Sequence, residues 1–157
     1  MIDLSFIKTT IMKELLLTMV ITSASLAAFS QKLAANKVPQ AVKSGLSKSH
    51  PNITATWEWE EKNYEANFKE DGRAMSCVLN KQGTILETET IITLSELPQA
   101  AQTYLNTHYK GKKQKEIARI EKAGGETVYE VVLTGRELLF DAAGNFKEIE
   151  KEKKERD

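Results

Sequence analysis

Asn36-Lys37-Val38-Pro39-Gln40-Ala41 and Ser95-Glu96-Leu97-Pro98-Gln99-Ala100 repeat one pattern at a distance of 59 residues (36 to 95). Each opens on a residue whose side-chain oxygen can accept from the unpaired N–H groups of a first helical turn. Proline is tolerated in that turn because its missing N–H would have had no partner inside the helix. Apolar residues then return at helical spacing: Val38, Ala41, Val42 and Leu46 in the first copy, and Leu97, Ala100, Ala101, Tyr104 and Leu105 in the second. Pro51 and the Lys110-Gly111 region predict where the two helices stop.

After each helix the apolar period becomes alternating. Ala55, Trp57 and Trp59 stand between Thr54, Thr56, Glu58 and Glu60; Tyr64, Ala66 and Phe68 stand between Glu65, Asn67 and Lys69. That is the pattern of half-buried strands. Asp71-Gly72 predicts a hairpin into a strand at 74–79, and Asn80-Lys81-Gln82-Gly83 a turn into 84–93. The second copy supplies Tyr129-Glu130-Val131-Val132-Leu133, Gly135, Leu138-Leu139-Phe140, the turn Asp141-Ala142-Ala143-Gly144, and Phe146. Tyr64-Glu65 matches Tyr129-Glu130 at an offset of 65, and the Gly83 turn matches the Gly144 turn at 61. The copies therefore differ by short loop insertions, one of them at Gly124-Gly125. A helix followed by antiparallel strands, given twice, predicts an α+β fold of two tandem units with the helices on one face of the sheet. One such unit buries little apolar surface alone, so the copies are expected to continue one sheet or to pack edge to edge.

The whole chain has 157 residues, 22 basic and 22 acidic side chains, a formal net charge of zero and 41% hydrophobic residues. This is the balance of a globular soluble protein, and neutrality gives no general electrostatic handle for nucleic acid. The single Cys77 excludes an intramolecular disulfide and a Cys-cluster metal site, and His50 and His108 make no His-rich centre. Ahead of the repeats, Lys13 precedes an apolar stretch that runs from Leu15 to Phe29, diluted by Thr and Ser and closed by small residues. Basic flank, apolar centre and small-residue exit describe a secretory signal peptide; a membrane span needs about 20 predominantly apolar residues. Cleavage is expected between Ser30 and Gln31, with Met12 an alternative start, and the lack of a cysteine after the stretch excludes a lipid anchor. The expected organisation is a signal peptide at 1–30, units at 31–94 and 95–150, and a charged tail at 151–157. The expected location is periplasmic or secreted, with no membrane span after cleavage.

The helix opening at Leu97-Pro98 and the string Tyr129-Glu130-Val131 … Phe140-Asp141-Ala142-Ala143-Gly144 resemble the PepSY-like repeat. In particular they resemble the secreted β-lactamase-inhibitor-like proteins of that group, from Bacteroidetes-type bacteria. Tyr64-Glu65-Ala66-Asn67-Phe68 and Asn80-Lys81-Gln82-Gly83 are weaker versions of the same motifs, and the resemblance covers nearly all of residues 36–150. It implies tandem helix-plus-antiparallel-sheet units in the periplasm or outside the cell, and it suggests hydrolase inhibition as one form of binding. Its motifs are turns, strand cores and a helix start, so it nominates no catalytic residue.

Alternation places Trp57 and Trp59 together in the core. Lys110, Lys112, Lys113, Lys115 and Arg119 are expected in a solvated loop after a helix end, where cations suit the dipole. Glu58, Glu60, Glu61 and Glu65 are read as surface charge, Asp141-Ala142-Ala143-Gly144 as a turn and not a calcium loop, and Cys77 as a buried strand residue. Neither histidine completes a nucleophile–base–orienter set in the sequence. The expected function is non-enzymatic binding of a protein or peptide of the cell envelope, with no cofactor, no metal and no nucleic acid. The candidate outward face is Thr56, Glu58, Glu60, Glu65 and Asn67 in the first unit, and Glu130, Val132 and Thr134 in the second. The alternatives are a small-ligand binder or hydrolase with a pocket between helix and sheet, and a structural periplasmic protein.

Overall fold

Strands that follow one another in the chain also neighbour one another in space, so every connection in the sheet is local. A computed structural model describes residues 32–151; the expected signal peptide at 1–30 and the tail residues 152–157 lie outside the described residues. The strands are β1 (Lys32–Leu33), β2 (Thr56–Glu60), β3 (Asn63–Glu70), β4 (Arg73–Leu79), β5 (Ile85–Ile91), β6 (Glu116–Lys122), β7 (Thr127–Leu133), β8 (Arg136–Asp141) and β9 (Phe146–Lys151). They form one 9-stranded sheet in the order β1 to β9, antiparallel throughout. Helix α1 (Gln40–Ser49) connects β1 to β2, and α2 (Gln99–His108) connects β5 to β6. The two copies continue one sheet: Glu87 to Ile91 on β5 pair with Lys122 to Ala118 on β6.

The helix starts differ from the expected capping. Asn36 lies inside a short 3₁₀ turn, Ala35–Lys37, and Ser95 inside another, Leu94–Glu96. Pro39 and Pro98 themselves take the N-cap position, and neither cap has a side-chain hydrogen bond. The physical reason is the restriction that proline places on its predecessor: Val38 (φ −77°, ψ 126°) and Leu97 (φ −65°, ψ 149°) are held extended, so the α-turn cannot begin before the proline. Capping moves one element upstream, where Thr93 and Glu96 close a reciprocal box around the second 3₁₀ turn. The Glu96 carboxyl sits at about 2, lowered first by the Thr93 backbone N–H and then by Arg73 and the Thr93 hydroxyl. The ends of the helices fall as the breakers predict, at His50 before Pro51 and at Tyr109 before Lys110-Gly111.

Both helices bury every fourth residue against one face of the sheet. Val38, Val42 and Leu46 join Trp57, Tyr64, Ala66, Phe68, Cys77 and Leu79 in a first core. Leu97, Ala101 and Leu105 join Ile92, Ile117, Val131, Leu133, Leu138 and Phe140 in a second. The cores correspond position by position through the pairing register: Trp57 faces Ala66 and Ala66 faces Cys77, as Ile117 faces Val131 and Val131 faces Leu138.

Two readings of the strands need correction. Trp59 shares the face of Trp57 but is 40% exposed, against 7% for Trp57. It stands one residue from the β2–β3 hairpin and leans on Tyr64, ring centroids 4.7 Å apart, outside the group of side chains that α1 covers. Arg119 is in no loop; it sits on β6, a central strand, opposite Thr90 and Tyr129. Lys110, Lys112, Lys113 and Lys115 do occupy the exposed segment between α2 and β6.

Candidate functional site

The pleat decides what the other face carries, because strand residues alternate sides. Thr56, Glu58 and Glu60 on β2 face Asn67, Glu65 and Asn63 on β3, and Glu65 and Asn67 continue to Val78 and Ser76 on β4. Ser76 and Val78 face Glu89 and Glu87 on β5. The helices and both cores lie on the opposite side. The first half of this face is thus polar and acidic, and it brings Thr56, Glu58, Glu60, Glu65 and Asn67 onto one surface.

Crowding carboxylates here has an electrostatic consequence. Burial, reinforced by Glu65, Glu61 and Glu87, pushes Glu60 up to about 7. Burial, reinforced by Glu116, Glu65 and Glu87, does the same to Glu89. Glu65 is also raised, by burial first and then by Glu58. A carboxyl whose folded pKa exceeds its unfolded value binds its proton more tightly in the native state, so ionisation destabilises the fold. The destabilisation is absent below pH 4.5, grows between 4.5 and about 7 and is constant above. We therefore expect unfolding midpoints in urea to be higher at pH 5 than at pH 8, with Glu89 contributing about 2 kcal/mol. Glu89→Gln is expected to flatten the difference; an unchanged pH profile in that variant contradicts the assignment.

The second half of the face has another character. Glu130 and Val132 lie on it by register, but they are buried, and Thr134 stands exposed in the β7–β8 turn. Ile120 and Val128 are only 1% exposed. Here aliphatic and acidic side chains face each other across strands: Ile120 opposite Glu89, Ala118 opposite Glu130, Val132 opposite Glu116 and Glu137, and Leu139 opposite Glu130 and Glu148. Alternation in the sequence places Glu130 and Val132 on this half but not Ala118 and Ile120, because β6 is buried on both sides and shows no period of two.

On the helix side, three residues assemble into a set that no local sequence pattern announces. His50, at the end of α1, places Nδ1 2.8 Å from Glu70 Oε2 and Nε2 3.6 Å from Cys77 Sγ. Glu70 ends β3 and Cys77 lies inside β4, so only the β3–β4 pairing and the helix end bring them together. This corrects the expectation that His50 has no such partners. The arrangement has the order nucleophile, base and orienter, but Cys77 is fully buried. Burial raises its thiol pKa, the Thr88 hydroxyl lowers it and Glu70 adds to the rise, opposite to what activation requires. The set ties the end of α1 to the sheet.

A cavity of about 500 Å³ lies at the β1–β2 edge, lined by Lys32, Leu33, Ala35, Ala55, Thr56, Trp57 and Glu58. Among the described residues no group of His, Cys, Asp and Glu is placed to hold a metal ion, and no helix is long and apolar enough to cross a membrane.

Two helices on one face of a single antiparallel meander, with the other face acidic at one end and aliphatic-acidic at the other, define an α+β protein built from tandem helix-plus-sheet units. The model of the family described as "Putative beta-lactamase-inhibitor-like, PepSY-like" matches residues 27–87, 62–148 and 127–155. The chain belongs to this family. Among solved structures it is similar to a BLIP-like protein of Bacteroides fragilis, with 25% identity, 76% of this chain and 90% of that one covered, and a TM-score of 0.60. The fold is shared with a DUF2874 family protein of Bacteroides uniformis (19% identity, 72% and 88% covered, TM-score 0.67). It is shared too with a protein of Bacteroides eggerthii described as a "putative periplasmic" protein (15% identity, 73% and 88% covered, TM-score 0.68). No curated protein matches the chain.

Proposed function

We propose that this is an exported, non-enzymatic protein of two units, 31–94 and 95–150, that binds a protein or peptide in the cell envelope through the face of the sheet opposite the helices. The observation that carries the reading is the division of labour in the sheet. Both apolar cores and both helices are on one side, while β2 and β3 present Thr56, Glu58, Glu60, Glu65 and Asn67 on the other. A broad face of polar side chains held on rigid strands suits recognition of another polypeptide. The similarity to a BLIP-like protein supports binding and leaves open whether any hydrolase is inhibited. Against the hydrolase reading stands Cys77, buried with a raised pKa beneath α1. Export is supported by the leader pattern in the sequence and by the shared fold with the B. eggerthii protein described as "putative periplasmic".

The test is affinity capture from the producing cell's envelope, with the natural chain and with Thr56→Arg/Asn67→Arg as baits. A partner held reproducibly by the natural chain and lost by the double variant is the expected result. A partner indifferent to these positions, or turnover of a hydrolytic substrate that persists in the double variant, would overturn the proposal.

A further inference from the structure

On the helix side of the sheet, one row of side chains crosses the join between the two cores. Through the pairing register it runs Phe68, Met75, Thr90, Arg119, Tyr129, Phe140. Phe68 and Phe140 belong to the two cores, and Met75 and Tyr129 pack half-buried against them. Thr90 and Arg119 belong to neither core. They stand directly opposite each other on β5 and β6, their Cβ atoms about 5 Å apart. Thr90 is 4% exposed. Its hydroxyl oxygen and Arg119 Nε are both buried, and neither has a hydrogen-bond partner among the described residues. A buried polar group left unpaired costs free energy, so two of them side by side call for an acceptor that serves both.

The strip can be reached from solvent, since the Arg119 side chain is 42% exposed. Its ion-pair partner Glu121, at 3.3 Å, is 51% exposed, and a pair so open to water holds the guanidinium weakly. Register fixes the rest of the charge: Glu87, Glu89, Glu116 and Lys122 of the same two strands lie on the opposite face. One guanidinium already beside one carboxylate suits a monovalent anion better than a phosphate dianion, which Glu121 repels more strongly. A carboxylate is monovalent and planar, with one oxygen for Arg119 Nε–H and one for the Thr90 hydroxyl. Met75 and Tyr129 border the strip with apolar surface for the group that carries it.

We propose that this strip between the two cores binds a carboxylate borne on a short apolar group, which accepts from Arg119 Nε–H and the Thr90 hydroxyl and packs between Met75 and Tyr129. The site lies on the side of the sheet opposite the polar face and is independent of any partner bound there.

The experiment uses isotope-labelled protein expressed from the full reading frame, with the Arg119 Nε–H resonance, identified by its loss in Arg119→Lys, as the reporter. Two acids are titrated, isovalerate as a free acid and acetyl-alanyl-leucine as a polypeptide C-terminus, each beside its uncharged amide. The expected result is a saturable shift of the Nε–H signal by an acid, with the matching amide weaker by about tenfold or more. Saturation by both acids, or by one alone, supports the site and says which source it accepts. Thr90→Val is expected to weaken acid binding by about tenfold while its thermal midpoint stays level or rises, because the hydroxyl it removes has no partner in the fold. Glu121→Gln is expected to tighten binding by about threefold, since a competing carboxylate is gone. No shift with either acid, equal binding of acid and amide, or undiminished affinity in Thr90→Val overturns the proposal. A lowered midpoint in Thr90→Val overturns it too, by showing that the fold already uses the hydroxyl.

Discussion

Gly83→Ala is expected to destabilise the protein by about 3 kcal/mol, lowering the midpoint of thermal unfolding by on the order of 10 °C. Gly83 has φ +82°, and a Cβ there would stand 2.2 Å from the Ala41 carbonyl oxygen. Two separate penalties therefore act together, the left-handed backbone that an L side chain resists and a collision with helix backbone that has no rotamer to escape into. The contact is reciprocal, because a Cβ on Gly45 would stand 2.0 Å from the Gly83 carbonyl oxygen. Helix α1 thus rests on the β4–β5 turn through bare backbone. Gly144 repeats the device in the second half: φ +85°, with a Cβ 2.7 Å from Pro98 Cβ and 2.9 Å from the Ala101 nitrogen. Gly72 is the control, with φ +80° and nothing within 4 Å, so Gly72→Ala carries the backbone penalty alone, about 1 kcal/mol. Thermal melts of the three variants check the argument. Equal losses in Gly72→Ala and Gly83→Ala would show that the close approach contributes nothing.

These turns show how the repeat was legible at one level and opaque at the next. The polar residue that opens each turn could be read as a turn former, and the structure gives it a definite task. Asn80 Oδ1 accepts from the Gln82 and Thr84 nitrogens, and Asp141 Oδ1 from the Ala143 and Asn145 nitrogens. That the glycine three residues later is also the seat of a helix depends on tertiary contact and leaves no local trace. Strand β6 was invisible for a different reason. Ile117 is buried on the helix side while Ala118 and Ile120 are buried on the other, so the strand shows no alternation, and its Arg119, Glu121 and Lys122 resemble the lysine-rich segment before it. Buried on both sides, a strand loses its period-2 signature. The acidic half of the candidate face is readable because β2 and β3 alternate cleanly; of the aliphatic-acidic half only Glu130 and Val132 on β7 are, because the rest is assembled across β6. Trp59 marks the remaining limit of alternation: the pattern assigns a side, and the reach of a 10-residue helix decides how much of that side is covered.

Leu79→Ala and Phe140→Ala test whether the two halves unfold as one. The residues are equivalent, each fully buried in its own core; Phe140 also meets Tyr104 and Phe146 edge-on at 5.6 and 6.0 Å. Truncation is expected to cost about 3 kcal/mol at Leu79 and about 4 kcal/mol at Phe140. What makes the pair informative is the seam between the cores. Strands β5 and β6 pair over five positions, from Glu87↔Lys122 to Ile91↔Ala118, so opening one half strips the backbone partners from the edge of the other. Burying too little surface to stand alone, each half then depends on its neighbour, and unfolding is expected to be a single transition. Both tryptophans, Trp57 and Trp59, sit on β2 in the first half, which turns fluorescence into a local probe and far-UV circular dichroism into a global one. In urea, Phe140→Ala is expected to lower the tryptophan-detected midpoint as far as the dichroism midpoint, although the substitution lies in the other core. A fluorescence transition that stays at its natural midpoint while dichroism becomes biphasic would show two independent units sharing an edge, and the continuous sheet would then carry no cooperativity across the seam.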